Sequence, residues 1–175
     1  MDKGYIHIYT GTGKGKTTAA VGLAARALGQ GFRVVYAHFM KRPDVYGYTE
    51  IDSLKKLGAT VMGFTSGHPF CDRSLTTDLL RQQMKEALVT LTDYLKTSPP
   101  DLLIMDEILI TVRDGFLDEE ALIGFIDQKP AGTELVLTGR GATAKLIDRA
   151  DYVSEINKIK HPYDQGITSR RGIEF

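Results

Sequence analysis

The stretch YTGTGKGKTTAA, Tyr9–Ala20, decides how this chain is read. It sits between an apolar run, Tyr5–Tyr9, and a segment of helical character, Lys16–Leu28, closed by Gly29 and Gly31. The phosphate-loop pattern is G-x-x-x-x-G-K-[ST]. Counted back from Gly15-Lys16-Thr17, the place of its first glycine holds Thr10, and the glycine comes one residue later at Gly11. Glycines let successive backbone N–H groups turn toward one anion, because no Cβ blocks the approach. The helix that follows points its positive end at the same place. On this reading Gly11, Thr12, Gly13, Lys14, Gly15, Lys16, Thr17 and Thr18 hold phosphate. Lys16 supplies a mobile cation, the Thr17 hydroxyl joins a magnesium shell, and Lys14 either touches phosphate or faces water. The bland alternative is a flexible glycine turn with solvated lysines; strand, loop and helix in the confirming order speak against it.

Outward from the loop, strand-like and helical stretches alternate. Arg33–Phe39 reads as a second strand, followed by a polar, aromatic loop, Lys41–Glu50, and a short helix near Ile51–Leu57. Thr60–Phe64 is a third strand and Ser66–Arg73 a polar loop. Leu80, Met84, Leu88, Leu91 and Leu95 recur at helical spacing, which predicts a long helix over Thr77–Lys96 that ends at Pro99-Pro100. Leu102–Met105 is a wholly apolar fourth strand, Asp118–Ile126 a helix, Leu135–Leu137 a fifth strand and Ala142–Arg149 a helix. Tyr152–Ile159 is a candidate last strand whose direction the sequence leaves open. Continuous apolar strands alternating with helices imply a parallel sheet covered on both faces, with ligands beyond the carboxyl ends of the strands.

The bulk numbers fit that picture. A length of 175 residues suits one domain, expected to span 1–175. Lysine plus arginine equals aspartate plus glutamate, 22 against 22, so no global basic field points to nucleic acid. The single Cys71 excludes an internal disulfide and a cysteine-based zinc cluster, which suits a reducing cytoplasm. No apolar run is long enough to span a bilayer, and the opening MDKGYIHIYT has no signal-peptide core.

A second motif is Leu102-Leu103-Ile104-Met105-Asp106-Glu107. Carboxylates closing an apolar strand suit Mg²⁺, which takes one or two of them plus phosphate oxygens and water. Thr17, Asp106 and Glu107 are therefore the candidate metal ligands, and the sequence does not separate the two acids; the alternative is a helix cap and a solvent-facing acid. In Leu137-Thr138-Gly139-Arg140-Gly141, Arg140 either binds phosphate or a substrate carboxylate, or pairs with Asp148 or Asp151. Arg26 carries the same ambiguity. Lys160-His161-Pro162 and Arg170-Arg171-Gly172 read as a basic, solvated tail. His7, His38, His68 and His161 have no metal-ligand spacing, and Cys71 reads as an incidental thiol.

Together these motifs resemble the phosphate-loop ATP:corrinoid adenosyltransferases, which act on cob(I)alamin or cob(I)yrinic acid a,c-diamide. The resemblance runs through Tyr9–Gly31, HFMK (His38–Lys41), MGF (Met62–Phe64), LLIMDE (Leu102–Glu107) and LTGRGA (Leu137–Ala142). It continues in ADYVSEINKIKHPYDQGI (Ala150–Ile167) and the closing RGIEF (Arg171–Phe175). It implies a three-layer α/β/α fold of the P-loop NTPase, RecA-like type with a mainly parallel sheet. It implies that a Co(I) corrinoid attacks the 5′ carbon of ATP and the whole triphosphate leaves, so the displaced glycine register is the family's own pattern.

The resemblance further implies roles for residues. Lys16, Thr17 and Glu107 are expected to be catalytic, and the loop, Arg26, Phe64 and Arg140 to bind substrate. Cobalt supplies the nucleophile, so no protein base is required. Phe64 matches an aromatic that displaces the lower cobalt ligand; the tryptophan usual two residues later is Ser66 here, and Phe70, Tyr46 and Tyr48 are its candidate substitutes. The resemblance brings with it an extra segment that the family often carries ahead of the first strand, against which this N-terminus reads as short. A homodimer and a reduced flavoprotein electron donor are family expectations, with no nucleic acid or membrane partner. The competing readings are a generic ATPase or small-molecule kinase, which would yield ADP, and a carrier with little turnover.

Overall fold

In a computed structural model, described over residues 2–174, the strands are β1 (Ile6–Thr10), β2 (Val34–His38), β3 (Thr60–Gly63), β4 (Leu102–Asp106), β5 (Glu134–Thr138) and β6 (Tyr152–Glu155). They form one sheet in the order β3-β2-β4-β5-β1-β6, and every pairing is parallel, including the last. The helices are α1 (Lys16–Gly29), α2 (Pro43–Tyr46), α3 (Thr49–Lys56), α4 (Thr77–Thr97), α5 (Ile108–Arg113), α6 (Glu119–Asp127) and α7 (Ala144–Arg149), with a 3-10 turn at Pro162–Gln165.

Two cores lie on the two faces of the sheet. Val34, Tyr36, Leu102, Ile104 and Val136 face α1 and α3, where Ala20, Ala24, Ala27, Ile51 and Leu54 are buried. The alanines fall at i, i+4 and i+7, a narrow stripe that lets α1 lie close to the strands. Val35, Ala37, Leu103, Met105, Leu135 and Leu137 point the other way, into α4, α5 and α6. Successive strand residues therefore bury opposite faces, which is why these strands read as unbroken apolar runs.

The long helix α4 begins where the Thr76 hydroxyl accepts the Leu79 N–H at 3.2 Å. Its buried stripe is Leu80, Met84, Ala87, Leu91 and Leu95; Ala87 takes the inward place expected of Leu88, which is half-buried. Steps of four, three, four and four fit the helical period no better than the expected four, four, three and four, so packing, with the smaller Ala87 inward, decides between them. The short helix α2 lies in the stretch read as loop, α5 in one that carries no predicted element, and β6 stops at Glu155 instead of Ile159. No helix among the described residues is long and apolar enough to cross a membrane.

Register sets the site. His38 pairs with Asp106, Met105 with Leu137, and Tyr9 with Thr138, so the carboxyl ends of β2, β4, β5 and β1 finish side by side.

Candidate active site

The phosphate loop leaves β1 at Thr10 and enters α1 at Lys16, with Gly15 (φ 130°) at the cap position. Lys16 is 7% exposed and curls back on its own loop, donating to the carbonyls of Gly11 at 3.0 Å and Gly13 at 2.7 Å. Burial lowers its pKa; Glu107 opposes that shift and Arg140 reinforces it. Thr17 donates through its hydroxyl to Asp106 Oδ2 at 3.4 Å.

The chain after β6 lies against this loop. The Gly13 N–H donates to the Ile156 carbonyl at 2.7 Å, and the Lys158 N–H to the Thr12 hydroxyl at 3.3 Å. A Cβ on Gly11 would lie 2.5 Å from the Ile156 oxygen, and one on Gly13 2.8 Å from it. Both glycines are thus required by a close backbone neighbour, and the Gly13 amide is already engaged. Beyond them Lys14, Lys158, His161, Tyr163 and Arg170 line a cleft of about 360 Å³ between the loop and the C-terminal segment.

The two acids at the end of β4 differ sharply. Asp106 has no exposed surface. Its Oδ1 accepts the Thr138 hydroxyl at 2.6 Å; its Oδ2 accepts Tyr36 at 2.8 Å and Thr17, and pairs with Lys41 Nζ at 2.5 Å. Burial alone would raise its pKa, but the Lys41 ammonium and the hydrogen bonds hold it below the ordinary value. Glu107 takes the left-handed conformation (φ 67°) that starts α5, and its N–H donates to the Thr138 hydroxyl at 2.9 Å. Its Oε2 is buried without a hydrogen-bond partner, and burial followed by Asp106 raises its pKa.

The remaining expected residues divide. Arg140 is exposed, and its charge lowers the pKa of both Lys16 and Glu107. The alternative ion pair with Asp148 or Asp151 does not form among the described residues; Asp151 instead accepts the Ile6 N–H at 2.9 Å. Arg26 stands apart. It is exposed in the last turn of α1. Ten residues along a helix carry it about 15 Å from Lys16, so the fold does not bring it to the loop. Phe64 is half-buried and stacks on Phe39 with ring centroids 5.6 Å apart. Ser66 is tied to α4: its N–H donates to Gln83 Oε1 at 3.1 Å, and its hydroxyl accepts from Gln83 Nε2 at 2.7 Å. Of the aromatic substitutes, Tyr48 covers the Lys41 ammonium at 5.0 Å, Tyr46 lies edge-on to it, and Phe70 is 90% exposed.

Four participants escaped the sequence reading of the site: Tyr36, Lys41, Glu50 and Thr138. Each of Lys41 and Thr138 is a polar residue at or just past the end of an apolar strand, a usable signal. Tyr36 looks like any strand aromatic, and nothing local tells that Glu50 reaches Lys41. Among the described residues no group of three or more His, Cys, Asp or Glu converges to hold a metal by itself. Thr17, Glu107 and the loop suit a cation that arrives with phosphate oxygens, which is the coordination Mg²⁺ prefers.

Comparison with known proteins gives one family. The family described as ATP:corrinoid adenosyltransferase BtuR/CobO/CobP matches residues 2–175. The corrinoid adenosyltransferase of Pseudomonas aeruginosa is 32% identical over 99% of this chain and 85% of its own length. That of Escherichia coli K12 is 31% identical over 99% and 87%, and the corrinoid adenosyltransferase CobA of Salmonella typhimurium 32% over 99% and 87%. The KaiC-like protein PH0186 of Pyrococcus horikoshii shares the fold, with a TM-score of 0.52 at 17% identity, over 87% of this chain and 71% of that one. A parallel six-stranded sheet covered on both faces, with its phosphate loop after β1, is accordingly of the P-loop NTPase type. With its phosphate loop and paired acids at the crest of that sheet, the chain belongs to the ATP:corrinoid adenosyltransferase BtuR/CobO/CobP family.

Proposed function

We propose that this chain transfers the 5′-deoxyadenosyl group of ATP to the cobalt of a Co(I) corrinoid. The cobalt–carbon bond forms from the Co(I) electron pair as the bond between C5′ and its oxygen breaks, and intact triphosphate leaves. The observation that carries the reading is the family match over residues 2–175 on a chain whose loop residue Thr17 bonds the strand-end Asp106 at the carboxyl ends of the strands.

The residues divide the work. Negative charge grows on the departing triphosphate, so the loop amides and Lys16 do their work there. A preorganised donor of this kind is worth about 3–4 kcal/mol. To reach the phosphates Lys16 must exchange its two loop carbonyls for them. Thr17 and the free Oε2 of Glu107 would hold Mg²⁺, with Asp106 behind them orienting Thr17. When bound, that ion supplies charge neutralisation on the triphosphate. Arg140, whose charge reaches Lys16, would bind phosphate, and Phe64, stacked on Phe39, would meet the lower face of the corrinoid. A single domain over 1–175, a homodimer, a reduced flavoprotein donor and a cytoplasmic location belong to the same proposal.

The test is an anaerobic reaction with Mg-ATP and chemically reduced cobalamin, following the Co(I) absorbance and identifying the phosphate product. Adenosylcobalamin with intact triphosphate is expected, and Lys16→Ala should abolish both. ADP without a cobalt–carbon product would overturn the reading in favour of a generic ATPase or small-molecule kinase.

A further inference from the structure

Lys41 lies outside the phosphate loop, yet it is 6% exposed and surrounded by oxygen. Its Nζ pairs with Asp106 Oδ2 at 2.5 Å and Glu50 Oε1 at 2.9 Å, and donates to the Tyr36 hydroxyl at 3.3 Å. The Tyr48 ring covers it at 5.0 Å. The chain bends to deliver it there. Met40, just before it, takes φ 57°, and Met40 and Glu107 are the only non-glycine residues with positive φ among those described. Its strained turn is fixed on both sides: the Met40 N–H donates to the Thr65 hydroxyl at 2.5 Å, and the Phe39 N–H to the Asp106 carbonyl at 3.0 Å. Strain of this kind persists only where the surroundings over-determine it, and it gathers at functional sites.

The consequence lies in what Asp106 has left to offer. A carboxylate has about four lone-pair positions. Thr138 takes Oδ1, while Tyr36, Thr17 and Lys41 converge on Oδ2. Oδ2, the oxygen that holds Thr17, is saturated and Oδ1 is buried against Thr138, while the neighbouring Glu107 keeps a buried oxygen with no partner. Two adjacent acids without a resident cation would attract any free divalent ion.

We propose that Lys41 is a positioning residue that acts as a built-in cation on Asp106, closing that carboxylate to free divalent metal so that metal enters only with the triphosphate, through Thr17 and Glu107. The proposal rests on the magnesium reading given above. Asp106 is thereby kept as an anchor, holding the Thr17 hydroxyl directly and the Glu107 backbone through Thr138. Metal that entered early on Asp106 would draw Thr17 and Glu107 away from the phosphates.

Equilibrium dialysis of the full chain against Mn²⁺, with and without ATP, tests this. Unsubstituted protein is expected to retain stoichiometric Mn²⁺ only with ATP. Lys41→Met should gain a nucleotide-independent Mn²⁺ site, tightened by about tenfold or more, the usual scale of effects from residues behind a metal ligand. Its kcat should fall while the KM for ATP changes little. Glu50→Gln leaves Lys41 on Asp106 and should keep the parent's metal behaviour, whereas simple loosening of the buried cluster would affect both variants alike. Retention of Mn²⁺ by the unsubstituted protein without ATP overturns the proposal whether or not the Lys41 variant folds. So does a folded Lys41→Met protein with no new site, while retention with ATP leaves the magnesium reading standing. Absence of Mn²⁺ from every protein even with ATP overturns that reading itself.

Discussion

Glu107 carries an internal conflict. It is held at a positive φ by the turn into α5, and its Oε2 is buried with nothing to accept from. An unpaired buried carboxylate costs stability, and the raised pKa is the same cost seen in protonation. Residues that burden the fold in this way are kept for what they bind. Glu107→Gln should therefore melt at or above the parent's Tm. Its Mg²⁺ half-saturation in the transfer assay should rise by about 10–100-fold, the scale for a lost metal contact. A loss of stability with unchanged metal dependence would place Glu107 in the framework instead. Asp106 differs although it adjoins Glu107, because four donors already satisfy it.

Between elements, the phosphate loop and the segment after β6 are built as a pair. Gly13 lends its N–H to Ile156, and a Cβ there would meet the Ile156 and Asn157 backbone at 2.8–2.9 Å. Gly13→Ala must lift one element off the other, at about 1–3 kcal/mol for overpacking against backbone. Limited proteolysis should then cut beyond residue 156 sooner, and the KM for ATP should rise. An unchanged digestion pattern would show that the two move independently. The basic tail read as solvated is in part a wall of the loop cleft: Lys158 pairs with Asp164 at 2.8 Å and Arg170 with Glu174 at 2.9 Å beside Lys14.

At the scale of the whole molecule, the crest of the sheet makes stability depend on acid. His38 is buried at the end of β2 with Nδ1 unpartnered; burial first, then Lys41, pushes its pKa down to about 4. A folded-state pKa below the unfolded value near 6.5 means the unfolded chain binds the extra proton. The contribution is full above pH 6.5 and is lost as pH falls toward 4. Asp106, also depressed, loses its share only below the ordinary aspartate range; Glu107, raised, works the other way, its share lost as pH climbs above 4.5. Denaturant unfolding between pH 7 and 5 should show falling stability, and His38→Gln should flatten that slope. An equal slope in both proteins would locate the acid sensitivity elsewhere.

Much of this was legible in the residues themselves. The order strand, loop, helix around Gly15-Lys16-Thr17, the apolar runs of β2, β4 and β5, and the period of α4 are local patterns, and local geometry dictates them. The family could be read because its motifs are short and contiguous. Sequence alone could not show which side chains meet across the sheet. Strand order and register put Lys41, Tyr36 and Thr138 around Asp106, brought Glu50 to Lys41, and laid Ile156 on Gly11 and Gly13. They also left Arg26 at the far end of α1. A motif names the atoms that meet a ligand; only the packed fold decides which of them are already spoken for, because saturation of a buried carboxylate depends on neighbours tens of residues away.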